Sequence, residues 1–348
     1  MDRKNNFDAL RLIAATSVIF THAFLLAEGT QDRDPLVVLS LHQCPTGLVG
    51  VFVFFAISGF LVTQSWEQTN SLPRFLAKRV LRIYPGLAVC ILVLTFGLGA
   101  AMTSLPLGDY LRDPRMHEFL GANLLMQLLP NSLPGVEFSK FWFGTVMDGP
   151  LWSLPLEASL YLMVAALGLL RGIRLPVLGV LLAVGLFCLW FDKWIDKTVT
   201  LGFIGGVAWM LAFFVTGMIA YKLRDRGIFN GRLALLAVVG IVASVPLQSF
   251  IPLFAVFGCY LALYAALHPG LPIIPAARFG DLSYGLYIYG WPVEQTISYL
   301  RPGASWWELF LISMIATAGV AFVSWHLVEK QALSFKPRGA RSAKPVPA

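Results

Sequence analysis

Hydrophobic positions along the chain gather into long runs separated by short polar segments. Such runs stand near 8–27, 47–66, 83–104, 150–170, 175–191, 200–221, 232–248, 251–268, 281–299 and 306–328. A helix of roughly twenty apolar residues spans the hydrocarbon core of a bilayer. The pattern therefore predicts an all-α, polytopic integral membrane protein with about ten transmembrane helices. An even number of spans puts both termini on one side. With that side taken as the cytoplasm, all but seven of the 26 Lys and Arg residues fall on inner segments, the bias expected of cytoplasmic loops. The first run carries Asp8, Arg11 and His22, and no clear small-x-small cleavage site follows it. It reads as a retained helix rather than a signal peptide. The longest connection, 105–149, lies outside in this topology. It is rich in Pro and Gly and contains an apolar stretch from Phe119 to Leu129, so it is expected to re-enter or lie at the interface and cover a cavity. Residues 1–335 form the transmembrane domain, and 336–348 read as a basic, disordered cytoplasmic tail.

Composition closes off the soluble alternatives. Of 348 residues 57% are hydrophobic and only 13% charged, against about 25% charged in an average soluble domain. The net charge of +7 fits positive inner loops better than nucleic-acid binding. Cys44, Cys90, Cys188 and Cys259 are scattered with no metal-ligand spacing, so neither a metal site nor a disulfide framework is expected.

Ionisable residues inside spans are costly and point to function. Arg11 and His22 are eleven residues apart, about 20° past three full turns, so they share a helix face roughly 16 Å apart along the axis. Glu157 falls about 10 Å into the fourth span, near the depth of His22. A His–Glu pair at one depth suits general-base chemistry, with the carboxylate orienting the imidazole. The competing reading is that both groups only satisfy interhelical hydrogen bonds. The segment Arg74 to Pro85 sets Arg79 and Arg82 on one helix face and Arg74, Lys78 and Arg82 on another row. Such a cluster suits phosphate groups and equally suits positive-inside charge or anionic lipid. The Ser58-Gly59 step permits close helix packing. Asp148 to Glu157 holds too many turn formers for a plain helix start and can present Asp148 and Trp152 to an outer cavity, Trp152 being also an ordinary interfacial anchor. The run from Ser283 to Glu294 carries Tyr284, Tyr287, Tyr289 and Glu294, which reads as cavity lining, with Pro292 marking a kink or break.

Taken together these residues resemble membrane-bound acyltransferase family three, the group of O-antigen, exopolysaccharide and Nod-factor O-acetylases. The resemblance spans roughly residues 7 to 330. It rests on Phe7-Asp8-Ala9-Leu10-Arg11 with His22, Phe54 to Phe60, Lys78 to Pro85, Leu151-Trp152-Ser153-Leu154 with Glu157 and Tyr161, and Ser283-Tyr284-Gly285-Leu286-Tyr287, in that order. Many relatives carry His just before the aromatic-Pro step that follows; here Gly290 precedes Trp291-Pro292. The resemblance implies a multi-pass protein of the bacterial cytoplasmic membrane that moves an acyl group, most simply acetyl from acetyl-CoA, to a carbohydrate hydroxyl without a metal. His22 and Glu157 are then the expected catalytic pair. Arg11, Ser58, Lys78, Arg79 and Arg82 hold the acyl-CoA, and Asp148, Trp152, Tyr284 and Glu294 face the acceptor. A proton-coupled secondary transporter built on the same His, Glu and Arg groups is the alternative.

Overall fold

The first apolar run folds as α1 (Phe7–Glu28), which ends where Gly29 takes a left-handed conformation and its N–H returns to the Leu25 carbonyl. The computed structural model describes residues 5–69, 71–127, 131–141, 143–191 and 202–337; apart from Lys336 and Pro337, the tail read as disordered lies outside them. Every regular element among the described residues is a helix. After α1 come α2 (Pro35–Leu39), α3 (Thr46–Thr69) and α4 (Leu72–Met102), the last with a π segment over Val93–Gly99. The long connection contributes α5 (Leu107–Arg112) and α6 (Pro114–Leu124). Then follow α7 (Gly149–Leu169), α8 (Leu175–Phe191), α9 (Gly202–Leu223), α10 (Gly231–Ser244), α11 (Phe250–Leu267), α12 (Ser283–Leu300) and α13 (Trp306–Ser334).

Seven helices among the described residues are long and apolar enough to cross a membrane. The other three predicted runs are helical too. α8 and α10 have 17 and 14 residues, and α12, at 18 residues, mixes tyrosines, Gln295 and Glu294 into its apolar surface.

Close helix contact comes from small residues, as it must where lipid supplies no hydrophobic drive between helices. Gly59 of α3 lies on the Phe214 backbone of α9, and Gly217 of α9 lies on the Ala56 carbonyl of α3. Gly47 and Gly50 do the same for α3 against Val18, Ser17 and Ala14 of α1. Phe52 and Phe213 stack at 3.9 Å in the resulting core. α12 packs against α1 and α13 and runs through Pro292 without breaking. A proline there removes the hydrogen bond to the Ile288 carbonyl, and the Cys90 thiol donates to that carbonyl instead, at 3.5 Å.

The end of the bundle where α1 starts is called here the near face, and the end where α1 stops the far face. On the far face the 131–149 segment folds inward. Asn131 exchanges hydrogen bonds with the Asp148 backbone, and the carbonyls of Phe143 and Val146 accept from Gln295 and Trp291 of α12. The loop between α1 and α3 is anchored by Asp34, which is fully buried. Its carboxylate accepts from Leu36 N, Thr46 N, Thr46 Oγ1 and Thr21 Oγ1. Asp34 thereby caps α2 and holds the start of α3 to α1.

Candidate active site

Arg11 of α1, Arg79 and Arg82 of α4, Ser58 of α3, Glu157 of α7 and Tyr284 of α12 all line one cavity of about 780 Å³, part of it open to solvent. Its axis follows α3 from Val62 to Val51, eleven residues or roughly 16 Å of helix. Two of its three guanidinium groups are already paired. Arg82 donates to Asp281 at 2.6 Å, Arg11 approaches the same oxygen at 3.4 Å, and Arg11 also pairs with Asp8. Ser283 completes the node by donating to Asp281 at 2.7 Å. Arg79 differs. Among the described residues it has no carboxylate partner; its guanidinium lies 5.7 Å from the Tyr161 ring and reaches Ser65 at 3.4 Å, and its Nε is buried without a partner. A guanidinium so placed is the ready donor for an anionic group. Lys78 instead donates to Thr69 at 2.7 Å and does not line the cavity.

Glu157 sits on the cavity wall in a compact cluster. Its Oε1 accepts from Ser58 Oγ at 2.6 Å and from Tyr161 OH at 2.6 Å, with the two hydroxyls 3.2 Å apart. Both readings of the Ser58-Gly59 step therefore apply: Gly59 makes the contact with α9 while Ser58 faces the cavity.

His22 is elsewhere, and the expected pairing with Glu157 is corrected here. The partner is Glu294: His22 Nδ1 lies 3.4 Å from Glu294 Oε2, longer than a made hydrogen bond. Trp291 meets the imidazole edge-on at 4.8 Å. Glu294 is fully buried and neither of its oxygens has a hydrogen-bond donor among the described residues. Pro150 is not the surface end of the fourth span, because the segment before it carries the chain inward first. Gly149 packs on the Trp291 ring and so starts α7 at the height of His22. Eight residues further, Glu157 lies roughly 12 Å below it.

Gly290 has a structural meaning in this arrangement. It faces Ile19 of α1, and a Cβ added there would stand 3.0 Å from Ile19 Cγ1. A larger residue would crowd the Ile19 side chain at the α1–α12 contact, one turn from where Glu294 meets His22.

The other residues expected to face the acceptor separate: Tyr284 lines the arginine cavity instead, and Asp148 and Trp152 do not line it. Asp148 is fully buried under the inturned loop, with Cys90 Sγ 3.9 Å from its Oδ2 and no partner for its Oδ1. Burial pushes its carboxyl well above the usual carboxylate range. Trp152 is 37% exposed and lines neither the cavity nor the His22 pair. Tyr284 donates to the Ile83 carbonyl at 2.8 Å. Sequence reasoning missed Asp281, although it stands two residues before Ser283 of the Ser-Tyr-Gly element and faces the inner arginines. It also missed Asp34, whose Asp-Pro step is a helix-start signal. No group of three or more potential metal ligands occurs among the described residues.

A family model described as an acyltransferase domain matches residues 4–326. The chain is 26% identical to an O-acetyl transferase of Shigella phage Sf6, over 96% of this chain and 97% of that protein. It is 28% identical to nodulation protein 10 of Rhizobium leguminosarum bv. viciae, over 96% and 94%. It is 26% identical to acyltransferase MdmB of Streptomyces mycarofaciens, over 82% and 78%. No solved structure matches the chain. These relatives do not favour the transporter alternative.

Proposed function

Because the chain belongs to membrane acyltransferase family three and is a multi-pass O-acetyltransferase, we propose that it moves an acetyl group from cytoplasmic acetyl-CoA to a hydroxyl of a cell-surface or lipid-linked carbohydrate. In this reading the near face is the cytoplasmic side of a bacterial inner membrane. The observation that carries the proposal is the stacking of two sites along α1. A guanidinium-rich cavity surrounds Arg11, and the His22–Glu294 pair stands eleven residues further out on the same face.

Arg79, with Arg82 and Arg11 beside it, binds the donor phosphates, and the Ser58–Glu157–Tyr161 cluster borders the arm that carries the thioester. Lys78, outside the cavity lining and bonded to Thr69, is left out of the donor site. With Nδ1 turned toward Glu294, His22 keeps Nε2 for the acceptor hydroxyl. His22 takes the hydroxyl proton as the oxygen attacks the thioester carbonyl; the new C–O ester bond forms, the C–S bond breaks, and the thiolate leaves and is reprotonated. Glu294, not Glu157, orients the imidazole and stabilises its cation. A covalent acyl-His22 intermediate is the other route, with the same net bond changes. Asp148 and Trp152, on the far side, are assigned to the acceptor approach.

The test is label transfer from radiolabelled acetyl-CoA in sealed vesicles carrying the full chain. Alkali-labile label on glycan with wild type, absent with His22→Ala, supports the assignment. Full transfer by His22→Ala refutes the role of His22, and no transfer by folded wild type refutes the donor or acceptor.

A further inference from the structure

The cavity stops short of His22. Its outer end is closed by Phe54 of α3 and Tyr287 of α12, whose rings meet edge-to-face at 5.6 Å and 69°. Tyr287 is buried and cannot swing freely. Its hydroxyl is held by Ser153 Oγ at 2.6 Å and donates to the Pro150 carbonyl at 3.1 Å. Phe54 packs against the small cluster of Ala15, Ile19 and Leu286 on α1 and α12. Ile19, in turn, is seated on Gly290. Trp291, which touches His22, is four residues beyond Tyr287, so one turn or roughly 6 Å of helix separates the closed end of the cavity from the imidazole.

We propose that Phe54 and Tyr287 are the specificity-determining residues that restrict this enzyme to short acyl groups. The inference rests on the donor reading above. A donor anchored by its phosphates at Arg79 points its acyl tip at these two rings. The reacting carbonyl has to come within about 3–3.5 Å of its attacker, and the wall between cavity and His22 is a single layer of side chains. Acetyl fits against that layer; each further methylene has to displace an aromatic ring, one of which is pinned by two hydrogen bonds. One methylene in a tight apolar pocket discriminates by roughly tenfold or more.

Release of free CoA thiol is to be followed in vesicles carrying the full chain, with glycan acceptor and acetyl-, butyryl- or hexanoyl-CoA. Wild type is expected to prefer acetyl over hexanoyl by about a hundredfold or more in kcat/KM. Phe54→Ala is expected to raise the hexanoyl-to-acetyl ratio by about tenfold or more. Tyr287→Phe, which keeps the ring and frees it from Ser153 and Pro150, is expected to raise it by less. Leu61→Ala, at the near end of the same cavity and away from the aromatic pair, covers the case in which Phe54→Ala fails to fold. In that case Tyr287→Phe must shift the ratio and Leu61→Ala must leave it nearer to wild type. Equal use of acetyl and hexanoyl by wild type, or an unchanged ratio in folded Phe54→Ala or in Tyr287→Phe, overturns the filter and leaves the donor reading standing. Absence of thiol release from acetyl-CoA by wild type overturns the donor reading itself and the filter with it.

Discussion

The near cavity and the far His22–Glu294 pair treat their charges in opposite ways. Near Arg82 and Arg11 the charges are paired: Asp281 serves two guanidiniums and a serine hydroxyl, and Asp8 serves Arg11 again, with the Arg11 Nε left over. At His22 the charges are unmatched, with a fully buried carboxyl group whose two oxygens have no donor among the described residues and a partly exposed imidazole 3.4 Å away. A paired network holds its shape and can present Arg79, which has no carboxylate partner among the described residues, to an anion; an unmatched imidazole and carboxyl group have reason to exchange a proton. The difference separates a binding end from a reacting end within one helix length.

The contrast breaks most completely at His22. His22→Ala is expected to lower transfer by about a thousandfold, within the range for losing a general base, while acetyl-CoA binding by calorimetry stays within a factor of three. Weaker binding of similar size would merge the two ends into one site. Next comes Glu294→Gln, which keeps volume but removes the carboxyl group that faces Nδ1 and can share a proton with it; transfer is expected to fall about a hundredfold, with KM for acetyl-CoA little changed. Glu157→Gln serves as the matched control, since the sequence spacing pairs that carboxylate with the same imidazole, and it is expected to cost less than Glu294→Gln. The near end is sharpened by Arg79→Ala. It is expected to raise KM for acetyl-CoA about tenfold, the loss of one charge-assisted contact, and to leave kcat nearly intact.

The smallest effect is expected at Asp148. Its folded-state carboxyl holds a proton that the unfolded chain releases near pH 3.9. Through the window above that value the folded state binds more protons than the unfolded one, so wild-type stability falls as pH rises. Asn mimics the protonated form. Asp148→Asn is therefore expected within a few degrees of wild type in thermal midpoint at pH 5, with a gap that widens in its favour toward pH 8. A gap that closes instead would mean that Asp148 is ionised in the fold.

Much of this was legible in the chain. The apolar runs gave the helices, and the i,i+3 spacing of Arg79 and Arg82 gave the face they share on the cavity wall. The eleven-residue spacing of Arg11 and His22 gave the axis linking the two ends. What could not be read was where each helix begins in depth. The inturn at 131–149 is a tertiary event, made by Asn131 on Asp148 and by Trp291 and Gln295 on loop carbonyls, and nothing local to Pro150 announces it. It displaced Glu157 by about two turns and handed its expected place to Glu294. Gly290 read only as a missing side chain; the contact with Ile19 makes it a clearance. Asp281 escaped because its two partners are about 200 and 270 positions away in sequence.

The knot at Asp34 has a consequence for how the protein is made. Asp34, Thr21 and Thr46 all belong to the first two long helices and the loop between them. Their hydrogen bonds need nothing translated later. The α1–α3 hairpin can therefore lock while the ribosome is still at work on the rest, and His22, one residue from Thr21, waits at a fixed height for the helix that will bring it Glu294.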